Sequence, residues 1–160
     1  VRPEGLVERG RDGETAKAVY FFPEDLYYHR ETHYWVRPSG SAAVVGLDAL
    51  AQAAMGDIVY ITLRESGHTV RAGERIGSVE AAKMVSFLVS PVSGRILRRN
   101  EDVLRTPSLV NTDPYGRGWL VEVELTNWHE EATQLLHGAD PVRRWAEEEV
   151  ARYRARGWID

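Results

Sequence analysis

Apolar residues recur along this chain mostly at the spacing of strands. From Trp119 to Leu125 the run Trp-Leu-Val-Glu-Val-Glu-Leu alternates, which predicts a strand with one wetted face. Val19 to Phe22 and Tyr34 to Val36 are rich in β-branched and aromatic residues. Pro38-Ser39-Gly40-Ser41 then marks a turn into Ala42 to Gly46, so a hairpin is expected there. Asp57 to Leu63 predicts another strand, turned at Glu65-Ser66-Gly67. Two more strand signals, Ile76 to Glu80 and Phe87 to Val89, flank Ala81-Ala82-Lys83-Met84 and put Lys83 at or near a hairpin tip. Helical patterns occur twice. Asp48 is a fitting N-cap for a short helix through Leu50, Ala51, Ala54 and Met55 that Gly56 would stop. Near the end, Trp145, Val150 and Tyr153 among Glu147, Glu148, Glu149, Arg152 and Arg154 predict an amphipathic helix with acids before bases, matching its dipole.

These signals divide the chain into three. Residues 1–17, rich in glycine and charge, are expected to form a mobile extension; residues 18–127 form the β core and residues 128–160 a helical segment. A weak internal repeat emerges when Gly67 to Glu74 is laid on Gly94 to Glu101, with Gly73 and Asn100 coinciding. Gly and Asn are the residues that most readily take positive φ, so equivalent tight turns are expected. The copies flank Lys83, as two similar strand units meeting at a central hairpin would.

Composition narrows the chemistry. A chain of 160 residues fits one compact domain with terminal additions. The net charge of -4, with Lys and Arg interspersed among acids, argues against a nucleic-acid partner. There is no cysteine, hence no disulfide, thiolate metal site or cysteine nucleophile, and any redox sulfur must arrive on an attached group. No apolar stretch is long enough to span a bilayer, and Val1 to Lys17 resembles neither a signal nor a transit peptide, so a cytoplasmic protein without membrane partners is expected. His29 and His33 lie four apart, but on a strand they would not share a helical face, and no third metal ligand is evident. Ser90 and Ser93 lack a hydrolase context, and Gly73 and Gly77 open no phosphate-binding helix.

What remains is the run Gly77-Ser-Val-Glu80-Ala-Ala-Lys83-Met84, followed by Ser90-Pro91-Val92-Ser93-Gly94. A lysine amine is protonated near neutral pH and is a poor nucleophile, so a modifying enzyme must bring an activated acyl group. The protein's part is to hold the amine clear on a rigid hairpin. This run resembles the swinging-arm carriers, whose lipoyl or biotinyl lysine sits at a hairpin tip before a Pro-x-x-Gly turn. The segment Val110-Asn111-Thr112-Asp113-Pro114-Tyr115-Gly116-Arg117-Gly118-Trp119 resembles one specific to the H protein of the glycine cleavage system. So do His33-Tyr34-Trp35-Val36 and Met55-Gly56-Asp57-Ile58-Val59, and the resemblance covers Leu26 to Leu125 in order. It implies a mainly β fold, a flattened barrel-sandwich hybrid of two antiparallel sheets with a short internal helix. It further implies lipoic acid attached covalently to Lys83, with Glu80 in ligase recognition and His33 in a cleft where the arm docks. A non-catalytic carrier follows, served by a lipoate ligase or lipoyl transferase and working with glycine decarboxylase, aminomethyltransferase and dihydrolipoyl dehydrogenase.

The sequence departs from that family in two places. Phe87 stands where an acid often follows the lysine, and Tyr34 replaces the Glu of His-Glu-Trp, offering the loaded arm a phenol in place of a carboxylate. Partner choice depends on such groups. An H-like lipoate-binding protein serving a heterodisulfide-reductase-like sulfur-oxidation complex is therefore the alternative reading. A biotin carrier is a third, since Glu80-Ala81-Ala82-Lys83-Met84 differs from Glu-Ala-Met-Lys-Met at one position, but biotinyl domains lack the Asp113 to Trp119 insertion.

Overall fold

The alternating runs pair into antiparallel ladders. The computed structural model describes residues 6–8 and 17–160. Its strands are β1 (Leu6–Glu8), β2 (Lys17–Val19), β3 (Tyr27–Tyr28), β4 (Tyr34–Ser39), β5 (Ala42–Leu47), β6 (Ile58–Leu63), β7 (Thr69–Val70), β8 (Arg75–Ala81), β9 (Val85–Val89), β10 (Gly94–Arg99) and β11 (Val121–Leu125). Helices are α1 (Ala49–Met55), α2 (Glu101–Arg105), α3 (Leu109–Thr112), α4 (Trp128–Glu131) and α5 (Ala139–Ala155). Strands β3-β4-β5-β11-β10-β7 form one sheet and β6-β8-β9 a second, while β1 and β2 make a separate ribbon. Apart from β1 and Lys17, the segment 1–17 expected to be mobile lies outside the described residues.

The expected mainly β architecture of two antiparallel sheets is what the chain adopts. Val36, Val45, Ile96 and Val123 from the larger sheet meet Ile61, Ile76, Val79 and Leu88 from the smaller one, and all eight are buried. In β11 the buried Val121 and Val123 alternate with half-buried Glu122, as the sequence pattern requires. A second core joins Tyr28, Trp35 and Leu50 to Val142 and Trp145 of α5, fixing the C-terminal helix against the β domain.

Local chemistry accounts for α1. Asp48 accepts hydrogen bonds from the Leu50 and Ala51 amides at its start, and Gly56 ends it at φ +79°. Two expectations are corrected. Tyr20 to Phe22 form no strand: the chain runs toward Pro23, which has no amide for a ladder, and Phe22 packs edge-on against Tyr28 and Trp145. Gly73 does take positive φ (+91°), but Asn100 sits at φ -80° as the N-cap of α2, its side chain accepting the Asp102 amide. The acids Glu101 and Asp102 behind it favour a helix start over a tight turn. The strands of the two repeat copies are neighbours, with Thr69 and Val70 of β7 pairing with Arg95 and Gly94 of β10.

Candidate functional site

Lys83 lies exposed in the turn between β8 and β9, where the Ala81 amide donates to the Met84 carbonyl at 2.9 Å and closes the tip. That tip is fastened to the junction of α1 and β6. The Lys83 amide donates to the Met55 carbonyl and the Ala82 amide to the Asp57 carbonyl, both at 2.9 Å. Gly56 makes the approach possible, because a Cβ there would lie 3.3 Å from both the Ala82 Cβ and the Lys83 Cγ. The junction is in turn held by Asn111. Its Oδ1 accepts the Ile58 amide at 2.9 Å, and its Nδ2 donates to the Gly56 carbonyl and to Gln52 Oε1, each at 3.0 Å. The backbone of the lysine turn is thus held at both flanks while its side chain stays in solvent, an arrangement that presents an amine to another protein. Glu80, exposed on β8, lies opposite Val85 in the strand row nearest the turn.

His33 belongs to a different environment. It is 1% exposed and is the sole non-glycine positive φ (+64°) among the described residues. Its Nδ1 lies 2.7 Å from Asp48 Oδ2 and its Nε2 2.8 Å from Glu149 Oε1 of α5. The ring stacks on Trp145, with centroids 4.9 Å apart, and meets Tyr153 edge-on. A ring that donates from both nitrogens is an imidazolium. Burial alone pushes that cation's pKa down, but the charge and hydrogen bond of Asp48, followed by those of Glu149, outweigh it and hold His33 above the ordinary histidine range. Asp48 is also raised, by burial, with His33 and the α1 amides pulling it only partly back. Glu149 is held low, chiefly by its hydrogen bond from Arg152, against burial and with help from His33.

The structure places Glu80 and Lys83 on one hairpin, and His33 against Asp48 and α5. His33, expected beside an arm-docking cleft, lies buried under α5 with both ring nitrogens paired. Tyr34 points inward. It is 5% exposed in the inter-sheet core, and its hydroxyl accepts the Val89 amide at 3.0 Å, tying β4 to β9 across the two sheets. Trp35 is fully buried, its Nε1–H shared between the Leu47 and Pro114 carbonyls at 3.0 Å. Reading the sequence missed Asn111 as the residue that braces the lysine platform, although it stands in the quoted Val-Asn-x-Asp-Pro segment. It also missed Glu149, one of three consecutive glutamates whose periodicity does not single out the inward one.

A lysine on a braced hairpin tip, clamped by the Asn111 segment, is the arrangement on which the sequence resemblance turned. Residues 26–148 match the family model described as glycine cleavage H-protein. The chain belongs to that family. It is 42% identical over 126 residues to the glycine cleavage system H protein of Carboxydothermus hydrogenoformans, covering 79% of this chain and 95% of that protein. With the H protein of Rubrobacter xylanophilus the identity is 46% over 127 residues, covering 79% and 97%. A mitochondrial H protein of Arabidopsis thaliana shares 38% over 130 residues and 81% of each chain. The crystal structure of an H protein from Mycobacterium marinum superposes with a TM-score of 0.60 at 37% identity, covering 71% of this chain and 98% of that one. These relatives do not favour the sulfur-oxidation alternative. The family match stops at residue 148, so Glu149 and Arg152, which hold His33 from above, lie just past it.

Proposed function

We propose that this H-family chain carries a lipoyl group on Lys83 and is itself non-catalytic, acting in the cytoplasm. Its role is that of a lipoyl carrier in glycine cleavage. The observation that carries the Lys83 reading is the exposed tip between β8 and β9, whose backbone is bonded to Met55 and Asp57 while its amine is free to be acylated. The lipoyl dithiolane, once attached, supplies the disulfide that takes up an aminomethyl group, a chemistry for which a chain without cysteine has no sulfur of its own. The chain's own share is positional: Gly56 and Asn111 hold the turn, and Glu80 offers a charge beside it for a lipoate ligase or lipoyl transferase to read. Glycine decarboxylase, aminomethyltransferase and dihydrolipoyl dehydrogenase are the partners this reading assigns. His33 is given a structural role, joining α1 to α5.

Intact mass and peptide mapping of protein made with both lipoate and biotin ligases test the assignment. A lipoyl adduct confined to Lys83 is expected; an adduct on another lysine, or biotin on Lys83, overturns it. Acceptance of aminomethyl groups from glycine decarboxylase tests the partners separately.

A further inference from the structure

The three-stranded sheet has two outer strands, β6 and β9, and the fold treats their free edges unequally. On β6 the edge is closed. The Ile58 amide donates to Asn111 Oδ1 at 2.9 Å, the Leu63 carbonyl accepts Arg99 Nη1 at 2.8 Å, and α2 packs alongside. On β9 the cover reaches only the last residue, where the Val89 amide donates to the Tyr34 hydroxyl at 3.0 Å.

The alternation of an antiparallel ladder locates the open part. Successive residues turn their backbone groups toward the partner strand and then away from it. Met84 faces β8, its carbonyl accepting the Ala81 amide, and Ser90 faces the chain entering β8, its amide donating to the Glu74 carbonyl. Val89 turns the other way, to Tyr34. By that parity Ser86 and Leu88 bond to Val79 and Gly77 opposite them, while Val85 and Phe87 direct their N–H and C=O groups out of the sheet edge. Among the described residues neither of these two amides has an acceptor, and the Phe87 carbonyl receives only the Ser86 hydroxyl at 3.3 Å. Both side chains are exposed as well, Val85 at 75% and Phe87 at 55%. Edge strands are usually blunted by proline or charge, yet β9 reads Val-Ser-Phe-Leu-Val.

We propose that this open edge receives an extended segment of the enzyme that acylates Lys83, which adds a strand to β9. The inference rests on lipoylation of Lys83. Position selects the partner: Val85 follows Lys83 by two residues and stands opposite the exposed Glu80. A bare lysine reaches no farther than its own side chain, so the acylating enzyme must press against the hairpin tip, whereas enzymes that act on the far end of a lipoyl arm can stand away from it. Extent argues against a second copy of the chain, because two open residues fall far short of the roughly 1,000 Å² that a lasting interface buries. A short contact also releases quickly, as a modifying enzyme requires.

Hydrogen exchange of the full, unlipoylated chain tests the edge, alone and with a lipoate ligase holding a non-transferable lipoyl-adenylate analogue. The Val85 and Phe87 amides are expected to exchange fast in the free chain and to become protected when the ligase binds, with Ser86 and Leu88 slow throughout. Two variants separate backbone from side chain. Phe87→Ala and Phe87→Pro both lose the ring under Arg75, and only the second also loses the outward amide, which β8 does not use. The KM for lipoylation is expected to be about two- to tenfold higher for the proline variant, the worth of one backbone hydrogen bond, with kcat alike. Unprotected Val85 and Phe87 amides in the ligase complex overturn the proposal, as do equal KM values for the two folded variants. If the proline variant does not fold, exchange in the parent decides alone. Protection that grows with the chain's own concentration, without ligase, overturns it in favour of self-association. A missing lipoyl adduct on Lys83 overturns both this inference and the lipoyl assignment.

Discussion

Lys83 and His33 are the two cationic side chains that the sequence singles out, and the fold treats them in opposite ways. The lysine is tethered only through its backbone, and its amine meets no carboxylate among the described ion pairs. The histidine is held through its side chain, between two carboxylates and under an indole, with the ring itself out of solvent. A carrier needs its reactive group free and its scaffold fixed. Charge pairing that would disable the first region is what holds the second, and mutation should separate them: large stability effects with intact modification at His33, the reverse at Lys83.

Removing His33 is the severest test of that contrast. His33→Ala leaves Asp48 and Glu149 facing each other without their shared cation, and loss of one partner from a buried pair costs about 3–5 kcal/mol. Denaturant unfolding measures it, and a loss below 1 kcal/mol would mean that the knot is ornamental. Titration asks the same question more gently. Because the folded His33 pKa is raised, its contribution is complete below the unfolded histidine value, about 6.5, and is lost as pH climbs through the raised one. Thermal stability should therefore decline as pH rises above the ordinary histidine range, and Glu149→Gln, which removes one source of the shift, should flatten the decline. A profile unchanged by that variant counts against the α5 contact. Gly56→Ala comes next: left-handed backbone with a Cβ costs about 1–2 kcal/mol, and the clash lands on Ala82 and Lys83. It should lower Tm and slow lipoylation together, the single change that crosses the boundary between the regions. Smallest in stability is Glu80→Gln, expected within about 0.5 kcal/mol of the parent yet slower in lipoylation. Equal modification rates would remove Glu80 from ligase recognition.

Local signals carried much of this molecule. The Asp48 cap, the Gly56 stop, the β4–β5 hairpin and the turn at Lys83 all follow from residues within a few positions of one another, which is why the sequence alone predicts them. Asn111 and Tyr34 act across distance. Asn111 reaches back to Gln52, Gly56 and Ile58, and Tyr34 reaches forward to Val89; periodicity holds no trace of either bond. The resemblance pointed to the loaded arm for His33 and Tyr34; it could not have given the partners seen in the fold, Glu149 of α5 for the first and the Val89 amide for the second. Asn100 failed for a local reason, since its tolerance of positive φ competed with its aptitude as a cap, and two following acids decided the matter.

Asn111 has a consequence for the order of events in the cell. Synthesis proceeds from the N-terminus, and domains fold as units during it. Lys83 leaves the ribosome well before the asparagine that braces its turn does. Until that later segment has emerged and docked, Gly56 and Ile58 lack the bonds that shape the turn, and Lys83 sits on a loop with no fixed form. If Lys83 is the lipoylated residue, a ligase that reads the braced turn should act on the finished domain, and chains truncated before Asn111 are expected to be poor substrates.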